Sequence, residues 1–183
     1  GGIFPAALGD YLADITNRYS GVSFASPGAA KMEQELVRWM ADLVGYPESS
    51  GGDLTSGGSI ANLTAIVAAR ETMNMRARDV DSGCVYLTSD VHHCVDKSLR
   101  AAGLSDCKKR LVPMDKFYRM DVAALDSLIK EDKQNGLRPW LIIASAGTTD
   151  TGAVDPVDEL AELAELYDCW LHVDAAYGGF FLL

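Results

Sequence analysis

Apolar positions in this chain follow two rhythms. Met32, Leu36, Met40, Leu43 and Val44 recur at helical spacing, and Gly45 with Pro47 ends that run. Residues 6–17 carry a shorter version of the same rhythm. An alanine-rich stretch over 60–76 predicts a third helix, and 92–102 a fourth. Residues 121–133 predict a fifth, with Val122, Leu125, Leu128 and Ile129 on one face. Asp155-Pro156 opens a sixth that runs to about Tyr167. Between these lie apolar runs too short for helices, at 84–88, 110–112, 140–145 and 169–173. The central ones are apolar on both faces, so each needs cover above and below. Strands alternating with helices in this way predict an α/β protein built on a mainly parallel sheet covered by helices. Ligands of such sheets gather at the carboxyl ends of the strands. The loops after Thr88, Ser145 and Val173 therefore carry the candidate chemistry, together with a glycine-rich loop at 51–59.

Composition narrows the function classes. The 183 residues are 48% apolar and 23% charged, which fits a folded globular chain. Sixteen basic against 26 acidic side chains leave a net charge of −10, the wrong sign for gripping nucleic acid or an anionic membrane. No apolar run approaches the ~20 residues that span a bilayer, and no signal segment opens the chain. Cys84, Cys94, Cys107 and Cys169 are widely spaced and Cys-x-x-Cys is absent, so reduced thiols and a cytoplasmic location are expected. His92, His93 and His172 show no metal-ligand spacing, so no metal is expected. The chain opens on Gly1 and closes on the apolar run Phe180-Phe181-Leu182-Leu183. Termini normally lie at the surface, so the expectation is a piece of a longer chain.

Four segments carry candidate chemistry. In Thr55-Ser56-Gly57-Gly58-Ser59, glycines let backbone N–H groups approach an anion at a helix start. A plain turn with Ser59 as helix cap explains the same residues. His92-His93-Cys94-Val95-Asp96-Lys97 follows a strand, where an imidazole can stack on a flat ligand or move a proton, or simply cap the helix. Residues 144–156 cluster hydroxyls around Thr148, Thr149 and Thr151, and Asp155 before Pro156 reads most simply as a cap. In His172-Val173-Asp174-Ala175-Ala176-Tyr177, a carboxylate ends what reads as a buried apolar strand and requires a partner. Asp174 and Ala176 share a face by strand alternation. A carboxylate beside a small methyl suits a protonated planar heterocycle, and Asp174 capping the next turn remains the alternative.

Taken in order, TSGGSIANL, HHCVDK, SAGTTDTGAVDP and WLHVDAAYGG resemble the pyridoxal-phosphate-dependent group II amino-acid decarboxylases. The wording is most similar to the aromatic-L-amino-acid branch, and the likeness runs from about Pro27 to Gly179. The resemblance implies the large domain of a fold-type I pyridoxal enzyme. It divides the chain into an N-terminal segment, 1–26, and a partial cofactor-binding domain, 27–183. It implies that Gly58 and Ser59 bind the cofactor phosphate, that His92 stacks on one face of the pyridine ring, and that Ala176 lies against the other. It also implies that Asp174 pairs with the ring nitrogen and that Thr149 bonds near cofactor and substrate. Asp155 matches a retained acidic position that capping explains equally well. By the same resemblance the protein is a homodimer that decarboxylates an L-amino acid, aromatic first and acidic second, to the amine and CO2.

The family's cofactor-holding lysine is expected beyond Leu183. Lys31, Lys97, Lys108, Lys109, Lys116, Lys130 and Lys133 do not stand in its sequence context. A fragment without it is expected to be inactive alone. Other readings of the same motifs are a carbon–carbon lyase or aldehyde-forming enzyme on this scaffold, a non-catalytic dimer partner, and a generic nucleotide-binding domain.

Overall fold

Strands that are apolar on both faces need helices on both faces, and the larger part of the protein is built that way. The computed structural model describes residues 2–182 and divides into two compact units, Gly1–Leu54 and Thr55–Leu183. In the second unit, α3 (Gly58–Thr72) leads through a 3-10 turn (Ala77–Ser82) into β1 (Gly83–Leu87). There follow α4 (Cys94–Ala101), β2 (Lys108–Leu111), α5 (Val122–Gln134), β3 (Arg138–Ser145), α6 (Val157–Tyr167), β4 (Trp170–Asp174) and a closing 3-10 turn (Gly179–Leu182). The four strands pair in the order β2-β1-β3-β4, every pair parallel.

Alternation along each strand sends side chains into two cores. Val85, Leu87, Leu141 and Ile143 pack with Ile66 and Ala69 of α3 and with Val95 and Leu99 of α4. Cys84, Tyr86, Ile142 and Ala144 pack with Leu125 and Ile129 of α5 and with Leu160 and Ala164 of α6. A bulge breaks the alternation once. Cys84 pairs with Pro139 and Val85 with Leu141, so Trp140 is the extra residue, and its fully buried ring joins the α3/α4 side.

The second core contains a charge. Asp132, fully buried on α5, accepts from Tyr86 Oη at 2.8 Å and from Arg110 Nε at 2.9 Å, and its other oxygen pairs with the Arg110 guanidinium. Burial pushes the Asp132 carboxyl up. The hydrogen bonds from Arg110 and Tyr86 outweigh that and hold it below the usual carboxylate range.

Several expectations shift. Among the described residues β4 pairs on one side only, with β3, and it is half-buried along its length, Asp174 included. α3 stops at Thr72, because Asn74 takes a left-handed conformation that breaks the helix. α4 begins at Cys94 and α6 at Val157, later than the pattern suggests. Asp121, expected inside the fifth helix, instead caps it, accepting from Ala124 N–H at 3.0 Å.

The first unit contains α1 (Phe4–Thr16) and α2 (Pro27–Leu43). α1 buries no residue and α2 only Ala41. The apolar stripe of α2, as compatible with a core as with an interface from its spacing, is largely open: Met32, Leu36 and Val44 are exposed.

Candidate functional site

The carboxyl ends of β1, β3 and β4 and the first turns of α3 surround a cavity of about 310 Å³. That is at the lower end of the ~300–1,000 Å³ typical of small-molecule sites. Its wall takes Gly58, Ser59 and Asn62 from α3, and Asp90, His92 and Cys94 from the segment after β1. Ser145, Gly147, Thr148 and Thr149 come from the end of β3, and Asp174, Ala176 and Tyr177 from the end of β4. The six residues that the resemblance assigns to cofactor or substrate, Gly58, Ser59, His92, Thr149, Asp174 and Ala176, line this one space, and Asp155 does not. His93 does not line it, although its ring centroid lies 4.1 Å from that of His92.

The α3 entrance depends on Gly57, whose φ of 130° is open to glycine and strained for other residues. Its carbonyl accepts from the N–H groups of Ile60 and Ala61 at 3.0 and 3.1 Å. Gly57, not Ser59, occupies the cap position, so the reading of Ser59 as cap fails. Ser59 lies within the first turn, where the N–H groups of Gly58 and Ser59 have no intrahelical acceptor.

The loop after β3 is fixed by backbone and one carboxylate. Ala146 N–H donates to Asp174 O, and Gly178 N–H donates to Ala146 O, each at 2.9 Å. The approach is close enough that a Cβ on Gly178 would lie 2.1 Å from Ala146 O. Asp155 is buried and does not cap α6. Its Oδ1 accepts from Met120 N–H and its Oδ2 from Ser145 N–H, both at 2.7 Å. Pro156 holds the cap position of α6, and the Asp155 carboxylate instead ties the backbone ahead of α5 to the end of β3.

At β4, the turn-capping reading of Asp174 holds, and the same side chain faces the cavity. Oδ1 accepts from Ala176 N–H at 3.1 Å, closing the following turn, while the carboxylate lines the cavity. Oδ2 accepts from Asn62 Nδ2 at 3.1 Å. The other end of the Asn62 amide meets His172 Nε2 at 2.6 Å. Burial holds His172 below its ordinary value, against the pull of Asp174, so the ring stays neutral. Burial likewise raises the Cys94 thiol, which stays protonated beside Asn62. Asn62 was missed in the sequence. Its signal was a polar side chain on the helix face shared with the buried Ile66 and Ala69. His172 was visible as the strand neighbour of Asp174 on the same face.

Among the described residues no cluster of His, Cys, Asp or Glu could hold a metal ion, and no helix is long and apolar enough to cross a membrane. The four cysteines stand unpaired.

Comparison with known proteins agrees with this geometry. The family described as "Pyridoxal-dependent decarboxylase conserved domain" matches residues 1–183, including the segment before Pro27. An aromatic-L-amino-acid decarboxylase of Bacillus atrophaeus is 37% identical over 96% of this chain and 36% of its own length. The chain therefore spans a little over a third of that relative. Among solved structures, the glutamate decarboxylase domain of a Vibrio parahaemolyticus diaminobutyrate-pyruvate transaminase and L-2,4-diaminobutyrate decarboxylase superposes with a TM-score of 0.93 and 29% identity. It covers 98% of this chain and 42% of that one. Oryza sativa TDC with PLP and tryptamine superposes with a TM-score of 0.89 and 31% identity, covering 99% and 40%. With the parallel sheet, the strand-end cavity and a match over its whole length, the chain belongs to the pyridoxal-dependent decarboxylase family.

Proposed function

We propose that this chain forms the cofactor-holding part of a pyridoxal-phosphate-dependent enzyme that decarboxylates an L-amino acid, aromatic in preference to acidic, to the amine and CO2. The observation that carries this reading is the convergence of leftover helix-start donors, an imidazole, a methyl and an anchored carboxylate on one small cavity. Those groups fit the cofactor. Gly58 presents open space where a Cβ would stand, beside first-turn N–H groups suited to a phosphate. A chain of net charge −10 can hold that anion because local donors and the helix dipole act at short range.

When bound, pyridoxal phosphate supplies an electron sink for the pair left as CO2 departs. Asp174 would hold a proton on the ring nitrogen, since a carboxylate there favours the charged form by charge and hydrogen bonding. Two protein donors fix its oxygens, so it needs little reorganisation when a third donor arrives. His92 and Ala176 would lie against the ring's two faces, and the Thr149 hydroxyl would orient cofactor and substrate from the β3 loop. The aromatic preference rests on the relative at 37% identity and on the wording of the motifs. A cytoplasmic homodimer is part of the same reading. The exposed apolar side chains Phe4, Leu8, Tyr11, Leu12 and Ile15 of α1 support association.

The test uses the full-length protein. Added pyridoxal phosphate should give visible absorbance, and a panel of L-amino acids should release amine and CO2, aromatic ones fastest. Asp174→Ala should reduce turnover far more than cofactor retention. Absence of absorbance would remove the cofactor assignment, and turnover of acidic substrates alone would reverse the preference.

A further inference from the structure

We propose that Asn62 is a positioning residue, one amide that ties the Asp174 carboxylate to the start of α3 and fixes the proton of His172 on Nε2. The inference rests on the cofactor reading above. Asn62 is buried, and each end of its amide has a defined task. Nδ2 lies 3.0 Å from Gly58 O and 3.1 Å from Asp174 Oδ2, with Cys94 Sγ at 3.5 Å. A carbonyl and a carboxylate both demand donors, so the NH2 end must face them. That leaves Oδ1 toward His172 Nε2 at 2.6 Å, where only an N–H satisfies it. A neutral imidazole carries a single N–H, so its position is thereby set. His172 and Asp174 stand two apart on β4 and share a face. One amide on α3 therefore reads both and links them to the turn proposed to hold the phosphate. The two poles of the proposed cofactor site are joined through a single side chain.

The experiment uses the full-length protein freed of cofactor, and pyridoxine 5'-phosphate as a probe that forms no covalent bond to the protein. Nitrogen-15 NMR of histidine should show the Nε2–H form for His172 before any ligand is added. Asn62→Leu, of similar volume, should lose that preference and bind the probe about tenfold more weakly, as expected for one charge-assisted hydrogen bond. The bound probe's absorption should also move toward the neutral pyridine band. His172→Gln keeps an N–H for Asn62 Oδ1 and should retain affinity and band position, whereas His172→Leu should lose both. The His172 pair decides the matter if Asn62→Leu fails to fold. Wild-type protein that does not bind the probe overturns the cofactor reading and this inference with it. Wild-type protein that binds, with Asn62→Leu and His172→Leu matching it in affinity and band, overturns the inference alone.

Discussion

Asp155 offers the sharpest test of how the cavity is held, because its local and its observed roles predict different energetics. As a helix cap, Asp155→Ala would cost about 1 kcal/mol and Asp155→Asn almost nothing, since Asn caps as well as Asp. The structure instead shows a buried carboxylate with one oxygen on Met120 N–H and the other on Ser145 N–H, both at 2.7 Å. A hydrogen bond to a charged group contributes about 1.5–3 kcal/mol, and removing the acceptor also strands buried donors. Asp155→Ala should therefore cost about 3–5 kcal/mol, at the upper end of ordinary single substitutions. Asp155→Asn should cost about 2–3 kcal/mol, because its NH2 end must face one of two N–H donors. The assay is urea unfolding, with the slope against denaturant held constant as the sign that stability alone has changed. An Asp155→Asn variant as stable as wild type would refute the clamp and restore the cap.

Three further outcomes follow from the same structure. Asp132→Asn should destabilise by about 3 kcal/mol by leaving Arg110 half-buried without its anion. Its carboxyl is held below the usual range when folded, so wild-type stability is present above the unfolded carboxylate value and falls as pH drops through the folded one. The acid limb of stability against pH, followed by circular dichroism, should flatten in the variant. Gly178→Ala places a methyl on the Ala146 carbonyl, so it should displace the loop after β3 and lower cofactor affinity, read by absorbance titration. Burial pushes Cys84 and Cys107 up to about 11 and Cys169 to about 12, so disulfide reagents at pH 8 should label them only after unfolding.

The parallel sheet was legible because 140–145 is apolar without alternation, which only a doubly covered strand tolerates. The cavity was legible because strand exits and the glycine loop were enough to locate it. What escaped depends on partners remote in sequence. Asp155 next to proline has a complete local explanation, and nothing nearby indicates that Met120, 35 positions away, supplies its donor. Asn62 sits in an apolar helix whose spacing marks it as inward-facing but cannot show what it meets. The stripe on α2 was visible as apolar, yet periodicity says which residues share a face and not whether anything covers them. Likewise, β4 has the composition of an inner strand, and composition does not show that among the described residues it pairs with β3 alone.

The contact between Asn62 and Asp174 spans 112 positions, and every strand pair in the sheet requires a crossover. Closing such long loops is slow relative to forming helices. The wall of the cavity should therefore assemble after the helices that flank it, an order that pulsed hydrogen exchange would test. A ligand that binds only the finished wall stabilises the folded chain by mass action, so on the cofactor reading proposed above, chains made without pyridoxal phosphate would stay open to proteases for longer.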